Sequence, residues 1–94
     1  MDQNYKVLKG KDCFYIGDES HLIGEITYFE DKNGHLVVNH TFVNPEYRGR
    51  NLGMILVDAM TNHAREVNKQ IIPLCPYVEK VFSRNSGYND IWFK

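Results

Sequence analysis

The spacing of apolar residues changes at Leu52 from a strand-like to a helix-like period, and that change organises the chain. Residues 5–9 and 13–16 are brief β-leaning runs parted by Gly10-Lys11-Asp12, and Asp18-Glu19-Ser20 reads as another turn. Leu22 to Glu30 sets Ile23, Ile26, Tyr28 and Phe29 around Gly24, a strand pattern with imperfect alternation. Asp31-Lys32-Asn33-Gly34 predicts a hairpin turn, because Asn-Gly adopts positive φ at little cost. Leu36 to Val43 is the next strand. Strict alternation would put Val38, His40 and Phe42 on one face, and Val37, Asn39, Thr41 and Val43 on the other. Pro45 ends the ladder by removing a donor.

From Leu52 the helical period takes over. Leu52, Leu56, Met60, Ala64 and Val67 recur at spacings of four and three, and Ile55 and Val57 widen the stripe. That predicts a helix over 52–69, packed on one side. Gln70 to Cys75 is a short apolar strand. Pro76 stands where a proline can open a helix, and Tyr77 to Asn85 turns Val78, Val81 and Phe82 inward. Ser86-Gly87 closes that helix, and Tyr88 to Phe93 is expected as a last aromatic strand. The order of elements predicts a mixed α/β fold in which a helical crossover returns the chain to a parallel neighbour.

Composition narrows the partners. At 94 residues the chain is expected to form one domain with a modest core. A formal charge of -1 gives no global field for nucleic acid or an anionic membrane, and neither is expected as a partner. No apolar run approaches the roughly 20 residues of a membrane span. The segment Met1 to Lys6 carries no apolar stretch of the secretory kind. Two cysteines, Cys13 and Cys75, are too few for a disulfide scaffold. A cytoplasmic monomer or weak homodimer with reduced thiols is the expectation. The histidines and cysteines show no metal-ligand spacing, so no metal is expected.

The most directed chemistry lies in residues 43–53, Val-Asn-Pro-Glu-Tyr-Arg-Gly-Arg-Asn-Leu-Gly, just before the long helix. A helix start offers about four N–H groups without intrahelical partners, at the positive end of the dipole. Gly49 and Gly53 remove side chains where ligand oxygens must approach. Asn51 tolerates left-handed geometry, and Arg48 and Arg50 add charge-assisted donors. Read as residues alone, the segment is either an anion cradle or a basic surface turn with Asn51 as N-cap. It is neither a P-loop nor a dinucleotide fingerprint.

Val43, Pro45, Glu46, Tyr47, Arg48, Gly49, Arg50, Leu52 and Gly53 resemble the acetyl-CoA pyrophosphate loop of the GNAT superfamily of N-acetyltransferases. That pattern is Arg/Gln-x-x-Gly-x-Gly/Ala behind a strand valine and an x-Pro-x-Tyr run. Arg48 takes the first place and Gly53 the last; Asn51 stands where the middle glycine is expected. His40-Thr41-x-Val43 and Pro73-x-Cys75-Pro76-Tyr77-Val78 are similar to very small members of the superfamily, and the resemblance runs from residue 22 to residue 92. It implies a mostly antiparallel sheet whose parallel strands, 36–43 and 71–75, splay apart to receive the pantetheine arm. The implied cofactor is acetyl-CoA, held by Val43, Arg48, Gly49, Arg50, Asn51, Leu52 and Gly53.

Acetyl transfer to an amine requires a neutral nucleophile, a stabilised oxyanion and protonation of the departing thiolate. The resemblance puts the usual glutamate at about Val37, yet no carboxylate lies between Leu36 and Val43. It puts the usual thiolate-protonating tyrosine at Ser83. His40, Cys75 and Tyr77 are the candidates to compensate. His40 is either a proton-exchanging group beside the loop or a structural histidine. Cys75 is either a thiol next to the thioester or an inert buried cysteine. Tyr77 is either a donor to the thiolate or an aromatic wedge. His21 and His63 read as structural or solvent-facing, Cys13 as a packing residue, and Lys80 with Arg84 as a solvated pair or a ribose-phosphate contact.

The resemblance thus implies acetyl transfer by direct attack on the thioester, to an unidentified amine or other small nucleophile. A shallow acceptor site suits a peptide or protein, with Glu19 and Glu25 able to attract a cationic one. Two alternatives stay open: a non-catalytic acyl-CoA-binding or sensing module, and a small interaction protein whose glycine loop is only a turn.

Overall fold

The computed structural model describes residues 5–18 and 20–94; Met1–Asn4 and Glu19 lie outside the described residues. The elements are β1 (Leu8–Lys9), β2 (Cys13–Asp18), β3 (His21–Glu30), β4 (Leu36–Val43), α1 (Leu52–Glu66), β5 (Ile71–Pro73) and α2 (Pro76–Arg84), with single 3-10 turns at Pro45–Tyr47 and Ser86–Tyr88. The strands form one sheet in the order β1-β2-β3-β4-β5. All pairs are antiparallel except β4 and β5, which run parallel with Leu36 opposite Ile71 and Val38 opposite Pro73. The mixed α/β fold with one crossover helix is therefore the one the pattern predicts.

The hairpin turn forms because Asp31 Oδ1 accepts from the N–H groups of Asn33 and His35, while Gly34 takes φ 85°. The apolar stripe of α1 buries Leu52, Leu56, Val57, Met60 and Ala64 against Phe14, Ile16, Ile26, Tyr28 and Val38. Val78, Val81 and Phe82 of α2 join the same cluster. Truncating a fully buried member such as Leu56 to alanine costs about 2–5 kcal/mol, from lost transfer energy plus the cavity left.

Four expectations need correction. The helix ends at Glu66 rather than Lys69, because Asn68 adopts φ 60° and closes it. Asn68 N–H donates to Arg65 O and Lys69 N–H to Ala64 O, the paired bonds that terminate a helix through a left-handed residue. The first strand is confined to Leu8–Lys9, and β5 to Ile71–Pro73. The expected last strand is a 3-10 turn followed by one parallel bridge, Ile71 to Trp92. Tyr88, Asn89 and Ile91 donate to carbonyls three residues back, so only Ile71 N–H to Ile91 O and Phe93 N–H to Ile71 O remain for pairing.

The fourth correction concerns the faces of β4. Thr27 pairs with His40 but Tyr28 pairs with Val38, so Asn39 is an extra, bulged residue. The bulge reverses the alternation beyond it. Val38, opposite Tyr28, and Thr41, opposite Ile26, therefore share the helix-covered face, whereas His40 and Phe42 lie on the other one.

Candidate functional site

Pairing between β4 and β5 stops at Val38. Leu74 and Cys75 both donate their N–H to Val38 O, at 2.9 and 3.0 Å, and Pro76 then starts α2. The chain thus turns away from β4 just as β4 continues to Val43. Asn44 N–H bonds Ile23 O on the β3 side. By alternation, the main-chain groups of Thr41 and Val43 point to the opposite, open edge. This is the splayed pair that the resemblance implied.

A cleft of about 360 Å³ occupies that gap, lined by Thr41, Val43, Tyr47, Arg48, Gly49, Asn51, Leu52, Gly53 and Tyr77. Its floor is the start of α1. Asn51 is the N-cap residue in left-handed geometry, φ 63°, and Gly49 takes φ 85°. The side chain of Asn51 makes no cap bond, so the first turn is not closed by its own N-cap. Among the described residues, no carbonyl or side chain accepts from the N–H groups of Gly49 through Met54; the first loop-to-helix bond is Ile55 N–H to Asn51 O, at 3.2 Å. Six consecutive donors at the positive end of a helix are chemically suited to anionic oxygens. Asn44 holds the entry: its side chain accepts from Glu46 N–H and donates to Leu22 O.

The two arginines part company. Arg48 lines the cleft. Arg50 donates to the Tyr5 hydroxyl at 2.7 Å and lies 5.1 Å over the Tyr47 ring, outside the lining. Tyr47 is also held by His21, whose Nε2 is 3.1 Å from its hydroxyl. The wall it forms is thus held by Arg50 and by His21.

Of the chemical candidates, Tyr77 lines the cleft, Cys75 lies behind it in the core against Thr41, and His40 is on neither side of it. Cys75 is 7% exposed, and its Sγ–H donates to Thr41 Oγ1 at 3.5 Å. Tyr77 lies across Gly53, and burial, then the nearby Cys75 thiol, pushes its phenol pKa above the ordinary value. It is therefore a protonated donor at neutral pH. His40 is exposed on the face away from the helices, placed there by the bulge at Asn39. Ser83 is exposed on α2, donating to Lys80 O, and lines a separate groove with Lys80, Arg84 and Trp92. His63 packs against Phe14 and Tyr28, at 5.5 and 5.9 Å between ring centroids. Among the described residues no cluster of histidine, cysteine and carboxylate side chains is placed to hold a metal.

Two lining residues were not among the sequence candidates, Thr41 and Tyr47. Thr41 was legible in principle, since alternation sets it on the face of Val43. Tyr47 sat within the motif, but nothing local said that its ring would turn toward the helix start.

Fold and cleft together define a small mixed α/β domain with a cleft at the start of its crossover helix. The chain belongs to the GCN5-related N-acetyl-transferase family, whose profile matches residues 13–91. A GCN5-like protein from Staphylococcus aureus, solved by NMR in solution, is 35% identical over 98% of this chain and 91% of its own, with a TM-score of 0.79. A ribosomal-protein-alanine N-acetyltransferase from Brucella melitensis biovar Abortus 2308 shares the fold at a TM-score of 0.59 and 17% identity, over 77% of this chain and 58% of its own. An integron cassette protein from a salt-marsh metagenome does so at 0.55 and 21%, over 77% of this chain and 49% of its own. Among curated proteins none matches at a significant level.

Proposed function

We propose that this chain binds acetyl-CoA in the cleft at the start of α1 and transfers its acetyl group to an amine or other small nucleophile by direct attack. One observation carries the reading: the six N–H donors from Gly49 to Met54 have no acceptor among the described residues, and four of those residues, Gly49, Asn51, Leu52 and Gly53, line one cleft. A Cβ at Gly49 would meet nothing within 4 Å, so that glycine serves its positive φ, while Gly53 gives room for Tyr77 and for a close-lying ligand. The residues present fit the cofactor. Gly49 to Gly53 and Arg48 would hold the diphosphate, and the open edge at Val43 and Thr41 the amide-bearing arm.

Acetyl-CoA supplies an activated acyl group. Tyr77, kept protonated, is the donor suited to the leaving sulfur. No carboxylate on β4 serves as base, so the acceptor must arrive largely neutral or lose its proton to water. A shallow cleft in so small a domain fits an acceptor that is an exposed amine on a peptide or protein, met in the cytoplasm. The absence of a carboxylate on β4 also favours a second reading, a sensor that binds acyl-CoA without turnover.

Calorimetry with CoA and acetyl-CoA tests the cradle, the double variant Arg48→Ala with Gly53→Val being expected to abolish binding. Release of free CoA thiol, followed across a panel of amines and basic peptides, separates enzyme from sensor. Binding without release under any acceptor favours the sensor.

A further inference from the structure

Thr41 and Cys75 are 34 residues apart in sequence, yet their side chains meet beside the cleft at 3.5 Å. A hydroxyl has one proton to donate and lone pairs to accept with. Here Oγ1 accepts from the thiol, and among the described residues no acceptor takes the Thr41 proton in return. Cys75 lies behind in the core, and Thr41 is half-buried and lines the cleft, so the cleft is the side left open to that proton. The bulge at Asn39 makes this possible, since unbroken alternation from Val38 would have turned Thr41 away from the helices.

We infer that the Thr41 hydroxyl, oriented by the Cys75 thiol, donates a hydrogen bond to the thioester carbonyl oxygen of a bound acyl-CoA. This rests on the acyl-CoA reading above and adds a role that the loop does not supply. A donor aimed at that oxygen counts most when negative charge gathers there as the amine nitrogen bonds to the carbonyl carbon and the C–S bond breaks. Thr41 exchanges no proton in the step. The proton lost by nitrogen balances the one gained by sulfur, and the products are the acetylated amine and CoA thiol. Cys75 acts through Thr41 and is a positioning residue.

The test is the vibrational frequency of the thioester carbonyl in acetyl-CoA labelled at that carbon and bound to the protein, with calorimetry confirming occupancy. In Thr41→Val, which keeps the β-branch, the bound carbonyl stretch is expected to rise relative to the wild type; in Thr41→Ser it should return. Cys75→Ala, which removes only the orienting thiol, should broaden the band and raise it part of the way. A frequency unchanged in both Thr41→Val and Cys75→Ala, with ligand bound, overturns the inference while leaving the binding reading intact. Failure of the wild type to bind acetyl-CoA overturns both.

Discussion

Tyr77 lies so closely over Gly53 that a β-carbon on the glycine would stand 2.6 Å from the tyrosine hydroxyl. The two residues sit on different helices, and their contact sets the width of the cleft at the start of α1. Gly53→Ala is therefore expected to push the Tyr77 ring aside rather than unfold the chain, because the ring is 40% exposed and has room to move. Acetyl-CoA affinity should fall about tenfold, equivalent to about 1.4 kcal/mol. In a double-mutant cycle with Tyr77→Ala the two losses should not add, since the second change removes the clash made by the first. Additive losses would show that Gly53 acts independently of Tyr77.

Arg48→Ala and Arg50→Ala should differ. Arg48 lines the cleft, whereas Arg50 is engaged by Tyr5 and the Tyr47 ring. Loss of a charge-assisted bond to an anion weakens binding by roughly tenfold or more, and the effect should shrink as salt rises. Arg50→Ala is expected to change affinity by less than Arg48→Ala. Calorimetry at two ionic strengths decides, and equal losses would mean that Arg50 leaves Tyr5 on binding.

Asn51 holds φ 63° where glycine would be at ease. Asn51→Gly should keep both fold and binding. Asn51→Ala keeps the β-carbon in left-handed geometry but loses the asparagine side chain that tolerates it, at a cost below the about 1–2 kcal/mol an ordinary L-residue carries there. The expected readout is a lower urea midpoint for the alanine variant alone. Equal midpoints for the two would remove backbone strain from the account.

His63 provides a pH dependence of stability. Burial against the core, then the nearby Lys9 charge, holds its pKa below the ordinary 6.5. The folded state thus resists protonation more than the unfolded chain does. Stability from this group is complete above about pH 6.5 and is lost as pH falls through the lower folded value. His63→Phe, which keeps an aromatic ring beside Phe14 and Tyr28, should flatten the decline in urea stability below pH 6.5. An unchanged slope would place the acid sensitivity elsewhere.

Tyr88 acts at the alkaline end. Its hydroxyl donates to Asp58 Oδ1 at 2.7 Å, tying the segment after α2 to α1. Burial, then this bond and the Asp58 charge, push its pKa up to about 12. A raised pKa contributes stability that is whole below the unfolded value near 10 and lost as pH climbs toward 12. Tyr88→Phe should cost about 0.5–1.5 kcal/mol near neutrality, and that gap should close across the alkaline range. A gap that persists at high pH would assign it to packing on Phe82 instead.

What the sequence determined by itself was whatever depends on neighbours along the chain. The Asn-Gly turn, the stripe of α1, the proline that opens α2 and the strained cradle around Asn51 are local in this sense, because period and φ tolerance belong to short segments. Register belongs to two strands at once, so the bulge at Asn39, and with it the turning of His40 away from the cleft and of Thr41 into line with Val38, was decided only in the tertiary structure. The same holds for the C-terminal segment, where an aromatic run with strand propensity had only Ile71 left to pair with and kept one bridge. It holds most for Thr41 with Cys75 and Gly53 with Tyr77, which meet because a helical crossover brings β5 back beside β4. Contacts of that range follow from how layers pack, and no periodicity in the chain encodes them.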